Sequence, residues 1–134
     1  MATQSNSPFR CEVADTVYVY RLVKNSATGA VVNTATSTDV PIGTVQPSID
    51  GGYADGDTIS VRGIGHGTSI VVAAGVIARG ADIYAAAAGK VQALPGGAGT
   101  YRRVGSAYEA ASGDGSQIEA ILDCAGTTET VSGS

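Results

Sequence analysis

Short stretches in which apolar and polar residues alternate recur along the chain and are separated by glycine-rich or polar segments. In Thr58–Ile64, Ile59 and Val61 alternate with polar residues. In Gln117–Asp123, the apolar face carries Ile118, Ala120 and Leu122, and the opposite face is mostly polar. A period of two predicts a strand with one buried face. The sequence therefore predicts antiparallel β structure in both halves of the chain.

Further predicted strands share β-branched or aromatic residues bounded by turn residues. They are Thr16–Val23, Val31–Thr34, Val40–Val45, Ser69–Ala73, Ala81–Ala85, Val91–Leu94 and Arg103–Ala110. Thr16–Val23 has the strongest strand composition of them all. One segment is ambiguous, since the alanine-rich run before Gly89 also suits a two-turn helix capped by that glycine. We favour a hairpin there, because a helix of two turns is marginal.

A pattern near residue 42 is repeated near residue 104. Ile42-Gly43-Thr44-Val45 resembles Val104-Gly105-Ser106-Ala107, and each is followed by a glycine-rich connection and an alternating strand. Two similar hairpins indicate a small closed or nearly closed β structure. The core must be built from small aliphatic residues, because the chain of 134 residues has no tryptophan and a single phenylalanine, Phe9.

These features predict an all-β fold: a small single-domain β-barrel or sandwich of short strands with glycine-rich turns and at most one short helix. We expect a polar N-terminal arm at residues 1–9, the β domain at 10–125 and a flexible C-terminal tail at 126–134.

Charge and hydropathy restrict the partners. The net charge is −4, and the longest basic cluster is Arg102-Arg103, so binding to nucleic acid is disfavoured. The polar amino end and the lack of an apolar run of 18 residues predict a protein made in the cytoplasm, without a membrane partner.

The segment Gly63–Gly75 contains His66, the single histidine of the chain, and is similar to the histidine segment of subtilisin-like serine proteases. Neither the aspartate nor the serine context of that triad is present, and a histidine without those partners has no triad chemistry. The glycines around His66 also fail as a phosphate site, since a β-branched run follows them where a helix is required. A glycine-rich turn with an exposed, non-catalytic His66 is expected.

The two cysteines, Cys11 and Cys124, lie near opposite ends of the chain. A disulfide is geometrically possible if the first and last strands are neighbours, but a cytoplasmic origin favours free, buried thiols. Two cysteines and one histidine at no recognised spacing predict no metal site, and no cofactor is expected.

Four segments carry a resemblance to a known family: Gly75–Tyr84, Gly89–Val91, Val104–Ala111 and Ile118–Leu122. Their small-residue pattern, spread over residues 75–123, resembles the tailed-phage capsid cement, or head decoration, proteins. The residues predict no enzymatic activity, and the resemblance implies a compact β domain that binds the outer surface of the bacteriophage head and stabilises the capsid. It implies the phage major capsid protein as partner, and commonly a homotrimer on the virion.

The polar leader ends in Pro8, Phe9 and Arg10, which we single out as capsid or subunit contacts. Proline favours an extended arm there, and Phe9 provides an anchor. The alternative is that Phe9 packs under the domain's own sheet.

Two other functions compete with the virion role. A non-catalytic carbohydrate-binding or adhesion module would also be all-β, and its platform would have to come from the six tyrosines. A small hydrolase would need a paired acid and base. The acidic residues Asp50, Asp55, Asp57 and Asp114 lie among glycines, where turn formation explains them.

Overall fold

The computed structural model describes residues 9–12, 17–25, 30–32, 41–47, 58–64 and 67–132. Ten strands are present in this part of the chain: β1 (Phe9–Glu12), β2 (Leu22–Asn25), β3 (Ala30–Val32), β4 (Gly43–Val45), β5 (Thr58–Gly63), β6 (Thr68–Val72), β7 (Asp82–Ala85), β8 (Val91–Gln92), β9 (Gly99–Ala107) and β10 (Gln117–Val131).

The strands form two five-stranded sheets. Sheet A has the order β1-β5-β4-β2-β3, and sheet B has the order β6-β10-β9-β7-β8. Every pairing within the two sheets is antiparallel. The predicted fold class, a small all-β domain, is therefore confirmed.

The alanine-rich segment before Gly89 forms the predicted hairpin. β7 pairs with β8, with Ala85 opposite Val91, and a single 3-10 turn at Ala87–Gly89 joins the two strands. Gly89 has a φ of +74°, and an added Cβ would lie 2.7 Å from the carbonyl oxygen of Leu22. The turn therefore requires glycine both for its backbone angle and for its close approach to β2.

In the described parts of the chain, the buried aliphatic side chains form two clusters. The larger cluster lies on one face of sheet B and includes Ile83, Val104, Ala120 and Leu122, together with Leu22 from sheet A. The smaller cluster belongs to sheet A: Val17, Val23, Val45, Ile59 and Val61. Successive residues of β2 thus enter different clusters, as side chains that alternate along a strand do.

The two similar hairpins of the sequence share a steric feature. Gly43 of β4 and Gly105 of β9 each pass so close to the neighbouring strand that a Cβ would overlap a backbone carbonyl oxygen, that of Arg62 and Ile121 respectively. Real Cβ atoms do not approach a carbonyl oxygen so closely, so both strands need glycine here.

The predicted continuous strand over Thr16–Val23 is wrong, because β2 begins at Leu22. The chain turns just before it: Tyr20 has a φ of 62°, in the left-handed region, and its N–H donates to the carbonyl oxygen of Val45 at 2.7 Å. Val17 is fully buried without belonging to a strand. Burial accounts for Val17 and Leu22, whereas Tyr18 is exposed, so the β-branched and aromatic composition does not by itself mark a strand.

The last strand extends beyond its predicted end at Asp123. Residues 127–131, predicted to lie in a flexible tail, continue β10 and pair with residues 99–103 of β9. The register shifts between Leu122 and Thr127, so the strand pair is irregular at its middle. Residues 128–130 are exposed, so pairing with β9, and not burial, holds this segment in the extended conformation.

Two other expectations concern strand positions. Phe9 and Arg10 are residues of β1, an edge strand of sheet A in which Phe9 is opposite Val61, while Pro8 lies outside the described residues. The backbone of Phe9 therefore joins the domain's own sheet.

Cys11 is in β1 and Cys124 in β10, so the cysteine-bearing strands belong to different sheets.

Candidate functional site

The outer face of sheet B lies opposite the larger core cluster. Alternation along β10 directs Glu119 and Ile121 outward, since Ala120 and Leu122 enter the core. Glu119 is opposite Ile70 of β6, and Ile121 is flanked by residues of β6 and β9. The face therefore combines apolar and charged side chains on a rigid sheet.

A network of charged groups crosses three strands of this face. Arg103 of β9 donates to Asp123 of β10 at 2.9 Å, and its other terminal nitrogen lies 3.2 Å from Asp82 of β7 and 3.1 Å from the Ser106 hydroxyl. The hydrogen bond to Asp123 is the main reason that the pKa of Arg103 is raised above its usual value. The network holds the arginine in one position and neutralises it.

Tyr84 of β7 is opposite Arg103 and is 6% exposed. Burial raises the pKa of its phenol, and the negative charges of Asp82 and Glu129 raise it further. The neutral phenol is thus favoured in the folded protein, and its contribution to stability is lost only as the pH rises through the raised pKa. Tyr84 is a neutral, largely buried part of the face at neutral pH.

Tyr108 and Ile121 are the exposed apolar residues of the outer face, at 50% and 40% exposure. Tyr108 follows β9, and its N–H donates to the carbonyl oxygen of Glu119 at 3.0 Å. The guanidinium of Arg79 lies 5.7 Å from the centre of the Tyr108 ring. On the neighbouring loop, a carboxylate oxygen of Glu109 accepts the N–H of Glu119 at 2.8 Å.

Both tyrosines that are exposed in the described parts of the chain contact an arginine. Arg79 covers one face of Tyr108, and Arg21 lies 5.5 Å from the centre of the Tyr18 ring. A sugar-binding groove relies on open aromatic faces, so these cation–π contacts weigh against the carbohydrate-binding alternative.

An ion pair joins the loop before β10 to the start of β8. Lys90 Nζ lies 2.7 Å from Asp114 Oδ1, and this contact lowers the pKa of the Asp114 carboxyl group. Folding therefore favours the carboxylate form of Asp114. Its contribution to the free energy of unfolding is present above the pKa of the unfolded state, about 4, and is lost as the pH falls through the lowered pKa of the folded state.

We expect Lys90→Gln to lower the urea midpoint slightly at pH 6 and to lower it less at pH 2, because protonation of Asp114 weakens the pair in the wild type. Asp114→Asn should reproduce this pattern, since it removes the same interaction. Unfolding followed by circular dichroism at the two pH values measures the effect. An identical difference between wild type and variant at both pH values would contradict this assignment.

Across the described parts of the chain, no group of three or more His, Cys, Asp or Glu side chains is arranged to hold a metal ion. His66, Asp50, Asp55 and Asp57 lie outside the described residues. Where the structure describes the chain, no helix is long and apolar enough to cross a membrane.

The Arg103 network is not apparent from the sequence. Its members are some twenty residues apart along the chain and come together only because β9 lies between β7 and β10. In the sequence, Arg103 stands out only as part of a basic dipeptide. The sequence gives only a weak indication of the network, because Asp82, Ser106 and Asp123 are polar residues within predicted strands.

Comparisons with known proteins do not assign the chain to a family, since neither a protein-family model nor a curated protein matches it.

Proposed function

We propose that this protein is a structural virion protein that binds the outer surface of a bacteriophage head and stabilises the capsid. Its partner is the phage major capsid protein, and it occupies the head as a homotrimer. It has no enzymatic role. The contact proposed for Pro8, Phe9 and Arg10 would add to the interface from the edge strand β1.

The observation that carries the proposal is the resemblance of residues 75–123 to head decoration proteins, combined with where these residues lie. They include all of β7, β8 and β9, together with β10 as far as Asp123. This part of the chain forms most of sheet B, with a packed inner face and an outer face that exposes Tyr108 and Ile121. A rigid sheet with exposed apolar residues suits stable docking to a protein surface.

The charge of the chain is consistent with a position outside the shell. A net charge of −4 disfavours contact with packaged DNA on the inside of the capsid. The all-β fold itself is shared by many unrelated functions and adds no support.

Expanded heads of the encoding phage, prepared without the protein, provide the test. We expect the purified protein to co-sediment with these heads and to raise the temperature at which they break open, because bridging neighbouring capsomers opposes their separation. Head integrity is measured by nuclease access to the packaged DNA during a thermal ramp.

An unrelated acidic protein of similar size, added at equal concentration, is the control and should neither bind nor protect. Binding without a change in heat resistance would refute the stabilising role. Failure of the folded protein to co-sediment with the heads would refute the proposed function as a whole.

A further inference from the structure

Exposed apolar side chains are concentrated beside uncompensated charge at one place on sheet B. We define the Tyr108 surface by four residues: Ile70, Tyr108, Glu119 and Ile121. Antiparallel pairing puts Ile70 directly beside Glu119, and Glu119 is two residues from Ile121 on the same face. Tyr108 joins them through its backbone hydrogen bond to Glu119.

Exposure makes this surface available in the folded chain. Tyr108 and Ile121 are about half exposed, while Ile70 and Glu119 are partly buried. Their backbones lie in or directly beside the central strand pair of sheet B, so binding would require little ordering of the chain. A surface that is rigid before binding avoids much of the entropic cost of association.

The charges on this face are not all compensated. Asp82 and Asp123 are paired with Arg103. Among the described residues, neither Glu109 nor Glu119 takes part in an ion pair, although the Glu109 carboxylate accepts the Glu119 N–H. Arg79, over the Tyr108 ring, supplies one positive charge against these two carboxylates, so a net negative charge remains for a cationic partner group.

This combination of groups selects one kind of occupant. Two copies of the surface placed face to face would set four carboxylates against two Arg79 guanidinium groups, and the net negative charge would also repel a nucleic acid. A protein surface that presents an apolar side chain next to a lysine or arginine has the complementary charge and hydrophobicity.

We infer that the Tyr108 surface docks onto a protein surface with an apolar residue flanked by lysine or arginine, which belongs to the major capsid protein. The identity of that partner rests on the proposed function. The inference adds which face of the chain is turned toward the head and which chemistry the head presents there.

The variant that tests the apolar part is Tyr108→Ser combined with Ile121→Thr. Both positions are exposed, and threonine retains the β-branched shape of isoleucine, so the fold should be preserved. We expect the affinity for expanded heads, measured by co-sedimentation, to fall at least 30-fold, as when a central anchor of an interface is removed.

Matched controls are Tyr18→Ser and Leu94→Ser. These residues are 54% and 42% exposed, close to the values of the two test positions. Tyr18 precedes β2 of sheet A, and Leu94 follows β8, which is not a hydrogen-bonded neighbour of β10 in sheet B. Both controls should bind heads within about threefold of the wild type.

Glu119→Lys tests the charge separately. The wild-type affinity should decrease as salt is raised, because opposite charges at the interface are screened. The variant should bind more weakly at low salt and lose this dependence. Urea unfolding midpoints of all variants, compared with the wild type, establish that each is folded.

The outcomes separate the inference from the proposed function. If the wild type binds heads and the folded Tyr108 and Ile121 variant binds equally well, the docking face is wrong while the virion role stands. The face is also wrong if the controls weaken binding as strongly as the test variant, or if Glu119→Lys leaves the salt dependence unchanged. If the folded wild type does not bind heads, both are overturned.

Discussion

Replacing Gly105 by alanine should lower the free energy of unfolding by about 3 kcal/mol or more, a large part of the stability of a domain of this size. The added Cβ would overlap the carbonyl oxygen of Ile121 on the neighbouring strand. The obstacle is backbone held in the middle of sheet B, so no side-chain rotation relieves it. Strands β9 and β10 would have to separate locally and lose part of their hydrogen-bonded ladder.

Chemical unfolding followed by circular dichroism measures this change. Gly113→Ala is the matched control, because a Cβ added at Gly113 would have no neighbouring atom within 4 Å and the φ of Gly113 is not in the left-handed region. It should leave stability within about 0.5 kcal/mol of the wild type. Gly43→Ala should behave like Gly105→Ala, since its Cβ meets the Arg62 carbonyl oxygen in the same way. A loss below about 1 kcal/mol at Gly105 would show that the two strands are not so closely spaced.

The second large effect is expected at Leu22, where alanine should cost about 2–5 kcal/mol. Leu22 is fully buried and, although it belongs to β2 of sheet A, packs in the cluster on sheet B. Its removal leaves a cavity where the two sheets meet, which should weaken their association as well as the cluster itself.

Urea unfolding gives the total loss, and amide hydrogen exchange shows where protection is reduced. Protection should fall in both sheets, because the missing side chain connects them. Val76→Ala is the control, since Val76 is 72% exposed and should change stability by no more than about 0.5 kcal/mol. A loss at Leu22 no greater than at Val76 would contradict its role in joining the sheets.

Alternation of apolar and polar residues predicts a strand well where one face of the strand is buried and the other is exposed to solvent. The inward positions of β10, Ile118, Ala120 and Leu122, are all buried as expected, and Ile121 is exposed on the polar face. The repeated aliphatic-glycine pattern is also informative, because both of its glycines lie at close strand contacts.

Prediction fails where tertiary contacts override local preference. Tyr20 adopts a left-handed backbone conformation within a run of good strand formers, and the turn is stabilised by its hydrogen bond to Val45. The tail residues 127–131 look too polar to be structured, yet residues 99–103 of β9 provide them with a partner. The Arg103 network depends on strand order, which alternation within single strands does not specify.

The position of β10 within sheet B has a consequence for synthesis of the chain. β10 is an inner strand that pairs with β6 on one side and β9 on the other, and it follows both in the sequence. While the ribosome is still making residues 73–116, β6 therefore lacks the neighbour with which it pairs in sheet B. The inner face of sheet B remains incomplete for the same interval, so the nascent chain exposes unpaired strand edges that are prone to aggregation. Sheet B can therefore form all of its strand pairs only after β10 has been made.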